Sequence, residues 1–587
     1  MMSTKSPNVI LILTDDQGYG DLACHGNPLA DTPNLDKLHA ESIRLTDFHA
    51  APMCTPTRGQ LFTGLDAARN GALNVSSGRT LLRSELPTMA DIFHADGYRT
   101  GLFGKWHLGD NYPYRPQDRG FEETLWFPSS HISSLPDYWE NDYFDDVYCH
   151  NGQRKRFEGY CTETFFGKAM NWMETCIRNE ESFFACLPTN APHYPLYVPA
   201  PDRQAIEAIF KEKADLLPDE KHVPQLIRFL AMICNLDRQI GLLRDFLDKQ
   251  GVAEDTILIF MTDNGSTFGS CYYNAGMRGA KCSLWEGGHR VPCFIHWAAG
   301  LLGEPRDIEG LTQVQDILPT LAELCGLPLP DRKYDGIDLT PVLRGRECVP
   351  EDRFVAINYS RMPRFDYPTP HALSVVRKEG AAVLWKRWRL LENVALYNLD
   401  TDPLQEQNVI EEYPQIAAEM RDMLDRWWAE VEPLANEIQY VIVGSDHENP
   451  SLLTACEWQD VFVDQQKQVR NGRHCNGYWH IDVAKEGTYQ FDLRRWPEES
   501  KLDLRAACPE TELFDGHLDK GVALPIARAR ILVDRRHYEC QIEQGAESAT
   551  FELALPAGRT LLHTWFDDDR GEPVCGAYYV QVTRLDS

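Results

Sequence analysis

The chain has 587 residues, of which 43% are hydrophobic and 25% charged, and its 58 Lys and Arg against 88 Asp and Glu give a formal charge of -30. That length exceeds what one core supports and predicts two or three domains of an ordinary globular protein. The acidic surplus excludes nucleic acid as a partner, because no basic excess remains to neutralise phosphates, and it disfavours tight binding to an anionic membrane.

The N-terminus runs directly into the apolar stretch 8–13, which reads as a buried strand rather than a signal peptide. No stretch of about 20 apolar residues suggests a membrane span. An odd set of 17 scattered cysteines without a secretory signal predicts reduced thiols and a cytoplasmic location. Residues 33–41 read as a short helix with Pro33 in its first turn, and 57–62 as a helix beginning just after Cys54. A helix is expected over 87–95, and strands over 99–103, 183–187 and 256–261. Leu226, Phe229, Leu230, Ile233, Leu236, Ile240, Leu243 and Leu247 recur at helical spacing, predicting a long amphipathic helix over 224–249 ended by Gly251. Such alternation predicts an α/β sandwich around a mostly parallel sheet.

After a helical stretch at 414–434, short alternating or β-branched runs at 458–462, 478–483, 489–493, 529–533, 538–542, 550–555 and 577–582 predict a C-terminal antiparallel β-sandwich. Its role is read as capping or oligomerisation, with carbohydrate binding the alternative. The expected division is 1–345 for a catalytic α/β domain, 346–435 for a smaller α/β subdomain and 436–587 for the sandwich.

In open α/β sheets, ligands bind outside the carboxyl ends of the strands. Asp15-Asp16 follows the first strand, and Asp263-Asn264-Gly265 follows 256–261. Either cluster alone is ordinary turn chemistry. Together they offer three carboxylates and an amide, a set suited to a hard cation, with calcium favoured and magnesium possible.

Met53 to Gly64 contains Cys54-x-Pro56-x-Arg58 leading to Thr63-Gly64. This signature resembles that of type I, formylglycine-dependent sulfatases of the alkaline phosphatase superfamily. Asn8 to Asp21, Gly104-Lys105-Trp106-His107-Leu108-Gly109, Ala191-Pro192-His193, Thr262-Asp263-Asn264-Gly265, Arg278 to Lys281 and Trp285 to Pro292 extend the resemblance over roughly 7–345. A weaker echo at 396–408 is similar to the family's small second sheet.

The resemblance implies an alkaline-phosphatase-like sandwich and an arylsulfatase-like sulfuric ester hydrolase acting on a sulfated small molecule or saccharide. It implies that a formylglycine-generating enzyme oxidises Cys54, whose hydrated aldehyde attacks sulfur and passes through a sulfoenzyme. Asp15, Asp16, Asp263, Asn264 and matured Cys54 would ligate the metal. Arg58 would orient the diol, Lys105 and Lys281 would bind sulfate oxygens, His107 would take the proton that collapses the sulfoenzyme, and His193, with Lys281, would protonate the leaving oxygen. A phosphomonoesterase or phosphodiesterase on the same scaffold and a silent carbohydrate-binding homologue are the alternatives. His25 and His289 are secondary candidates to face substrate, while Cys24, Cys271 and Cys282 read as structural thiols. The aromatic segment at 120–160 is either a substrate wall or a hairpin packed on its own rings. Oligomeric state stays open.

Overall fold

Seven consecutive buried residues, Asn8–Thr14, form β1, and no residue of this strand faces water. The structure, a computed structural model, describes residues 6–217, 219–360 and 374–585. In chain order the next strands are β2 (Ile43–Leu45), β3 (Phe48–His49), β4 (Arg99–Lys105), β5 (Glu123–Phe127), β6 (Val147–His150), β7 (Gln153–Arg156), β8 (Phe183–Pro188), β9 (Thr256–Thr262), β10 (Cys293–His296) and β11 (Arg306–Ile308). Ten of them make one sheet in the order β11-β2-β10-β9-β1-β8-β4-β5-β6-β7, with β3 paired outside it. Its centre, β9-β1-β8-β4-β5, is wholly parallel, and antiparallel pairs β9–β10 and β5–β6 flank it.

Alternate residues of β1 enter opposite cores. Val9, Leu11 and Leu13 pack with Met89, Phe93, Leu318 and Leu321 on one face. Ile10 and Ile12 pack on the other with Phe165, Phe229, Ile233 and Leu236. Helices therefore cover both faces, which is why the central strands read as continuous apolar runs. The long helix is Val223–Gln250, closed by Gly251 in the left-handed conformation.

Two helices frame the sequence signatures: α1 (Pro33–Glu41) and α2 (Cys54–Thr63). The latter starts three residues earlier than the expected 57–62. Pro56 is tolerated in its first turn because the N–H it lacks has no intrahelical partner there.

A four-stranded antiparallel sheet of Phe354–Ile357, Ala382–Trp385, Trp388–Leu391 and Ala395–Asn398 follows the main sheet. Beyond it, two sheets enclose a core that includes Trp458, Trp479, Tyr489, Phe491 and Trp496. The expected strand at 458–462 does not form, since Asp460 takes a left-handed backbone and Trp458 packs on Trp479 and Tyr578 instead. The ten-residue strand Gly558–Asp567 escaped the sequence reading because its Leu561-Leu562 pair blurs the alternation. Val441–Val443 and Tyr478–Val483 pair in parallel, an exception in the otherwise antiparallel sandwich.

The segment at 137–146 is neither an exposed hairpin nor a free wall. Trp139 meets Trp496 edge to face at 5.5 Å, Phe144 stacks on Phe514 at 3.9 Å, and Arg470 reaches Glu140 at 2.8 Å. Its aromatics seat the C-terminal sheets on the main sheet. Among the described residues, no helix is long and apolar enough to cross a membrane.

A buried ionic cluster fastens the four-stranded sheet to the segments that carry Asp47 and Glu286 beside the main sheet. Arg389 bonds Glu286 at 2.6 Å and Asp47 at 3.1 Å, His49 bonds Asp47 at 3.0 Å, and the Nδ1 atoms of His49 and His289 lie 2.9 Å apart. His289 is thus committed to packing at this seam. Burial opposes ionisation of Glu286, but Arg389 together with His49 and His289 outweighs it and brings the carboxyl to about 2. Because the folded value is depressed, the stability this carboxylate contributes is complete above about 4.5 and is lost as pH falls toward about 2. Arg389→Met, which strands two buried carboxylates, is expected to lower unfolding stability by about 3 to 5 kcal/mol at neutral pH. Urea denaturation tests this, and a loss below about 1 kcal/mol would contradict it.

Candidate active site

Four adjacent parallel strands deliver the polar residues to one edge. β1 is followed by Asp15 and Asp16, β9 by Asp263 and Asn264, and β8 by Asn190 and His193, while β4 ends in Lys105 with His107 just beyond. The ladder continues past the strand ends, with Asp15 N–H on Ala191 O at 3.0 Å and Asp263 N–H on Thr14 O at 3.0 Å. Two glycines permit the close approach. A Cβ on Gly104 would stand 2.1 Å from Pro188 O, and one on Gly265 would stand 1.8 Å from Gly287 O.

Each carboxylate has its own cation. Lys105 Nζ donates to Asp15 at 2.6 Å, Lys281 Nζ pairs with Asp16 at 2.5 Å, and Arg58 Nη2 donates to Asp263 at 2.9 Å. Arg58 also donates to Lys105 O at 3.0 Å. Asp16 N–H donates to Asp263 Oδ1 at 3.2 Å, and Asn264 Nδ2 donates to Asp16 Oδ1 at 3.0 Å. Burial alone raises the Asp16 carboxyl, yet Lys281, His193 and Lys105 carry it well below the usual range. Burial and the neighbouring Asp15 push Asp263 up to about 6 against the pull of Arg58.

Cys54 opens α2, whose ten residues are all buried and whose first amides have no side-chain cap. Helix N-termini of this kind favour anions. Lys281 Nζ bridges from Asp16 to within 3.5 Å of Cys54 Sγ. Burial pushes the thiol far above its ordinary range despite Lys105 and Lys281, so the encoded cysteine stays protonated at neutral pH.

His107 Nε2 lies 3.0 Å from Val75 O, which fixes the proton there and leaves a buried Nδ1 with no partner. Burial, then Lys105, hold this imidazole neutral. His193 donates from Nδ1 to Tyr194 O at 2.5 Å, and its Nε2 stands 3.6 Å from Asp16 Oδ2. Burial carries its pKa down to about 3 although Asp16 opposes the shift. Asp16 and His107 both hold left-handed backbones, a strain that commonly marks functional positions.

The donors suit a hard cation. Asp15 Oδ1 and Asn264 Oδ1 are buried without hydrogen-bond partners, and ligand atoms of Asp15, Asp16, Cys54 and His193 all lie within 4.8 Å of one another. Carboxylate and amide oxygens are the ligand type that calcium and magnesium take. Asp263 is more committed, with one oxygen on Arg58 and the other on the Asp16 amide.

All of the residues singled out by their motifs therefore converge. His25 does not join them: it stacks on Tyr19 at 3.8 Å, edge-on to Phe294 and His39. His131 was not anticipated, because it lies in no motif; it stacks on His193 with ring centroids 5.2 Å apart. Asn190, with both side-chain polar atoms buried and unpartnered, was also missed, although it stands directly before the Ala191-Pro192-His193 motif.

The sulfatase family model matches residues 7–327. Human arylsulfatase A is 31% identical over 381 residues, a match covering 58% of this chain and 68% of the relative. Mouse N-acetylgalactosamine-6-sulfatase is 28% identical over 367 residues, covering 58% and 66%. In fold, the chain resembles the solved structure of Ps i-CgsB in complex with k-i-k-neocarrahexaose, with a TM-score of 0.63, 23% identity and coverage of 74% of this chain and 94% of that one. With Cys54, Arg58, Lys105, His107, His193 and Lys281 gathered at the strand ends, the chain belongs to the sulfatase family and is a sulfuric ester hydrolase.

Proposed function

We propose that the enzyme hydrolyses a sulfate ester at Cys54 after that residue has matured to formylglycine, with a divalent cation, calcium by preference, held by Asp15, Asp16, Asp263, Asn264 and the matured residue. The observation that carries this reading is the buried Cys54 thiol, 3.5 Å from Lys281 Nζ and beside the unpartnered oxygens of Asp15 and Asn264. Hydrated formylglycine supplies a hydroxyl nucleophile and the cation supplies charge neutralisation.

The chain's own residues do the rest. Three carboxylates cancel Arg58, Lys105 and Lys281, so a bound divalent cation provides the surplus that an anionic ester requires. Lys105 and Lys281 stabilise charge on the sulfuryl oxygens. Arg58, rigid between Asp263 and Lys105 O, orients the hydroxyls at position 54. His107 takes a proton at its free Nδ1. Burial favours neutral His193, and the approach of an anionic ester favours its protonated form, which then donates from Nε2 to the departing oxygen. The named activities of the relatives, arylsulfatase and N-acetylgalactosamine-6-sulfatase, support aryl and saccharide esters as the substrate classes to test. The cysteine at the nucleophile position favours sulfate over phosphate esters.

Cys54→Ala is expected to reduce turnover of 4-nitrophenyl sulfate at least about 1000-fold while shifting stability by about 1 kcal/mol. Retained turnover in this variant would contradict the reading. His193→Ala should slow an alkyl sulfate about 100-fold or more and affect 4-nitrophenyl sulfate far less, because only a poor leaving group needs its proton. Equal losses on the two esters would remove His193 from this role. Chelation should abolish activity and lower the thermal midpoint, with calcium restoring both more fully than magnesium. An enzyme indifferent to chelation would refute the metal assignment.

A further inference from the structure

A second group of metal-ligating side chains lies outside the active site. Cys24 and His25 sit on the single turn Ala23–His25, and His39 sits in the last turn of α1. Ligand atoms of the three lie within 4.8 Å of one another, and each side chain is half-buried. The turn is docked on the start of that helix. Ala23 N–H donates to Thr32 Oγ1 at 3.0 Å, and Cys24 N–H donates to Asp36 Oδ1 at 2.9 Å. Tyr273 Oη donates to His25 O at 2.8 Å. The backbone that presents the thiol and the first imidazole is therefore fixed.

The rings are oriented as metal ligands are. His25 Nδ1 lies 2.7 Å from Tyr19 O, which places the proton on Nδ1 and leaves the Nε2 lone pair free. Donation of the far N–H to a carbonyl is the usual arrangement for a ligating histidine. The His25 ring stacks on Tyr19 at 3.8 Å, and both imidazoles stand edge-on to Phe294, at 5.7 Å for His25 and 5.1 Å for His39. Burial carries His25 down to about 4 and lowers His39 as well, so both rings are neutral near pH 7, the form that ligates metal.

The donor set decides which metal fits. One thiolate sulfur and two imidazole nitrogens select zinc, whereas the strand-end cluster offers oxygens of the type that calcium and magnesium take. With bonds of about 2.3 Å to sulfur and about 2.0 Å to nitrogen, the three atoms would stand roughly 3.3 to 3.6 Å apart around the ion. Closing to that spacing takes about an ångström of movement, within the reach of small rotations of half-buried side chains. Burial and Asp36 keep the Cys24 thiol protonated until a cation displaces its proton. Asp36 and Asp307 face the group together with Arg44 and Arg290, so the surrounding charges balance and the thiolate itself meets the metal.

We propose that Cys24 Sγ, His25 Nε2 and His39 form a zinc-binding site, separate from the oxygen cluster at the strand ends, in which zinc displaces the thiol proton to solvent and water completes the tetrahedron. Tyr19, whose carbonyl holds His25, lies on the segment that leaves β1 through Asp15 and Asp16, so the metal ties α1 to that segment. The inference goes beyond the sulfate-ester reading and does not depend on it.

The test titrates cobalt(II), which reports thiolate ligation through a charge-transfer band, into the reduced full chain in excess calcium. One equivalent should produce the band, and zinc should bleach it. The band should persist in Cys54→Ala and vanish in Cys24→Ser, which keeps the size of the side chain. His39→Ala, at a half-buried position, should weaken zinc binding at least about 10-fold. Zinc should raise the thermal midpoint of the wild-type chain and not that of Cys24→Ser. A wild-type chain that gives no band overturns the site. So does a band that survives Cys24→Ser, or one lost in Cys54→Ala, which would place the metal at the catalytic residue. Zinc affinity unaltered by His39→Ala overturns the three-ligand site as well.

Discussion

Three buried ion pairs, Asp15 with Lys105, Asp16 with Lys281 and Asp263 with Arg58, are the constraint on which the rest of the site depends. None of these six groups could be buried alone, because an unpaired charge in the interior costs several kcal/mol. The pairing crosses the sheet, linking β1 to β4 and β9 to α2, so that the strand ends, the signature helix and the lysine loop cannot move independently. It also keeps the cluster electrically balanced in a chain of net charge -30. On the proposed function, a further positive charge held by the unpartnered oxygens of Asp15 and Asn264 would give an anionic ester its foothold.

The sheet beneath explains why this balance is rigid. β1 is buried on both faces, and its register with β8 and β9 sets the heights of Asp15, Asp263 and the turn before His193. The close backbone contacts at Gly104 and Gly265 tie the stretch 104–109 to β8 and the stretch 262–265 to 285–292. Glu286, Arg389 and Asp47 perform the same ionic pairing in a second buried cluster, and so fasten the four-stranded sheet to the segments that carry Asp47 and Glu286.

Much of this was legible before the fold was seen, for identifiable reasons. Continuous apolar runs at 8–13, 183–187 and 256–261 announce strands covered on both faces, and polar residues directly after them fall at the sheet edge where ligands bind. The motif residues convergent at Cys54, Lys281 in its loop excepted, were visible because they sit within a few positions of such a strand end or helix start. His131 was not, since it lies in no motif and joins the site only by stacking on His193. The aromatic segment at 137–146 was misleading because its partners, Trp496 and Phe514, lie far along the chain. The broken strand at 458–462 shows a single left-handed residue, Asp460, overriding a local apolar pattern.

The account turns on the chemical state of Cys54, which as an encoded thiol is buried and protonated and so ill suited to attack sulfur. The most direct measurement is mass spectrometry of the peptide spanning Cys54, taken from an active preparation made alongside a formylglycine-generating enzyme. The account predicts a species that has lost the elements of hydrogen sulfide and gained oxygen, in an amount that rises in proportion to specific activity. An active enzyme whose Cys54 is wholly unmodified would contradict it.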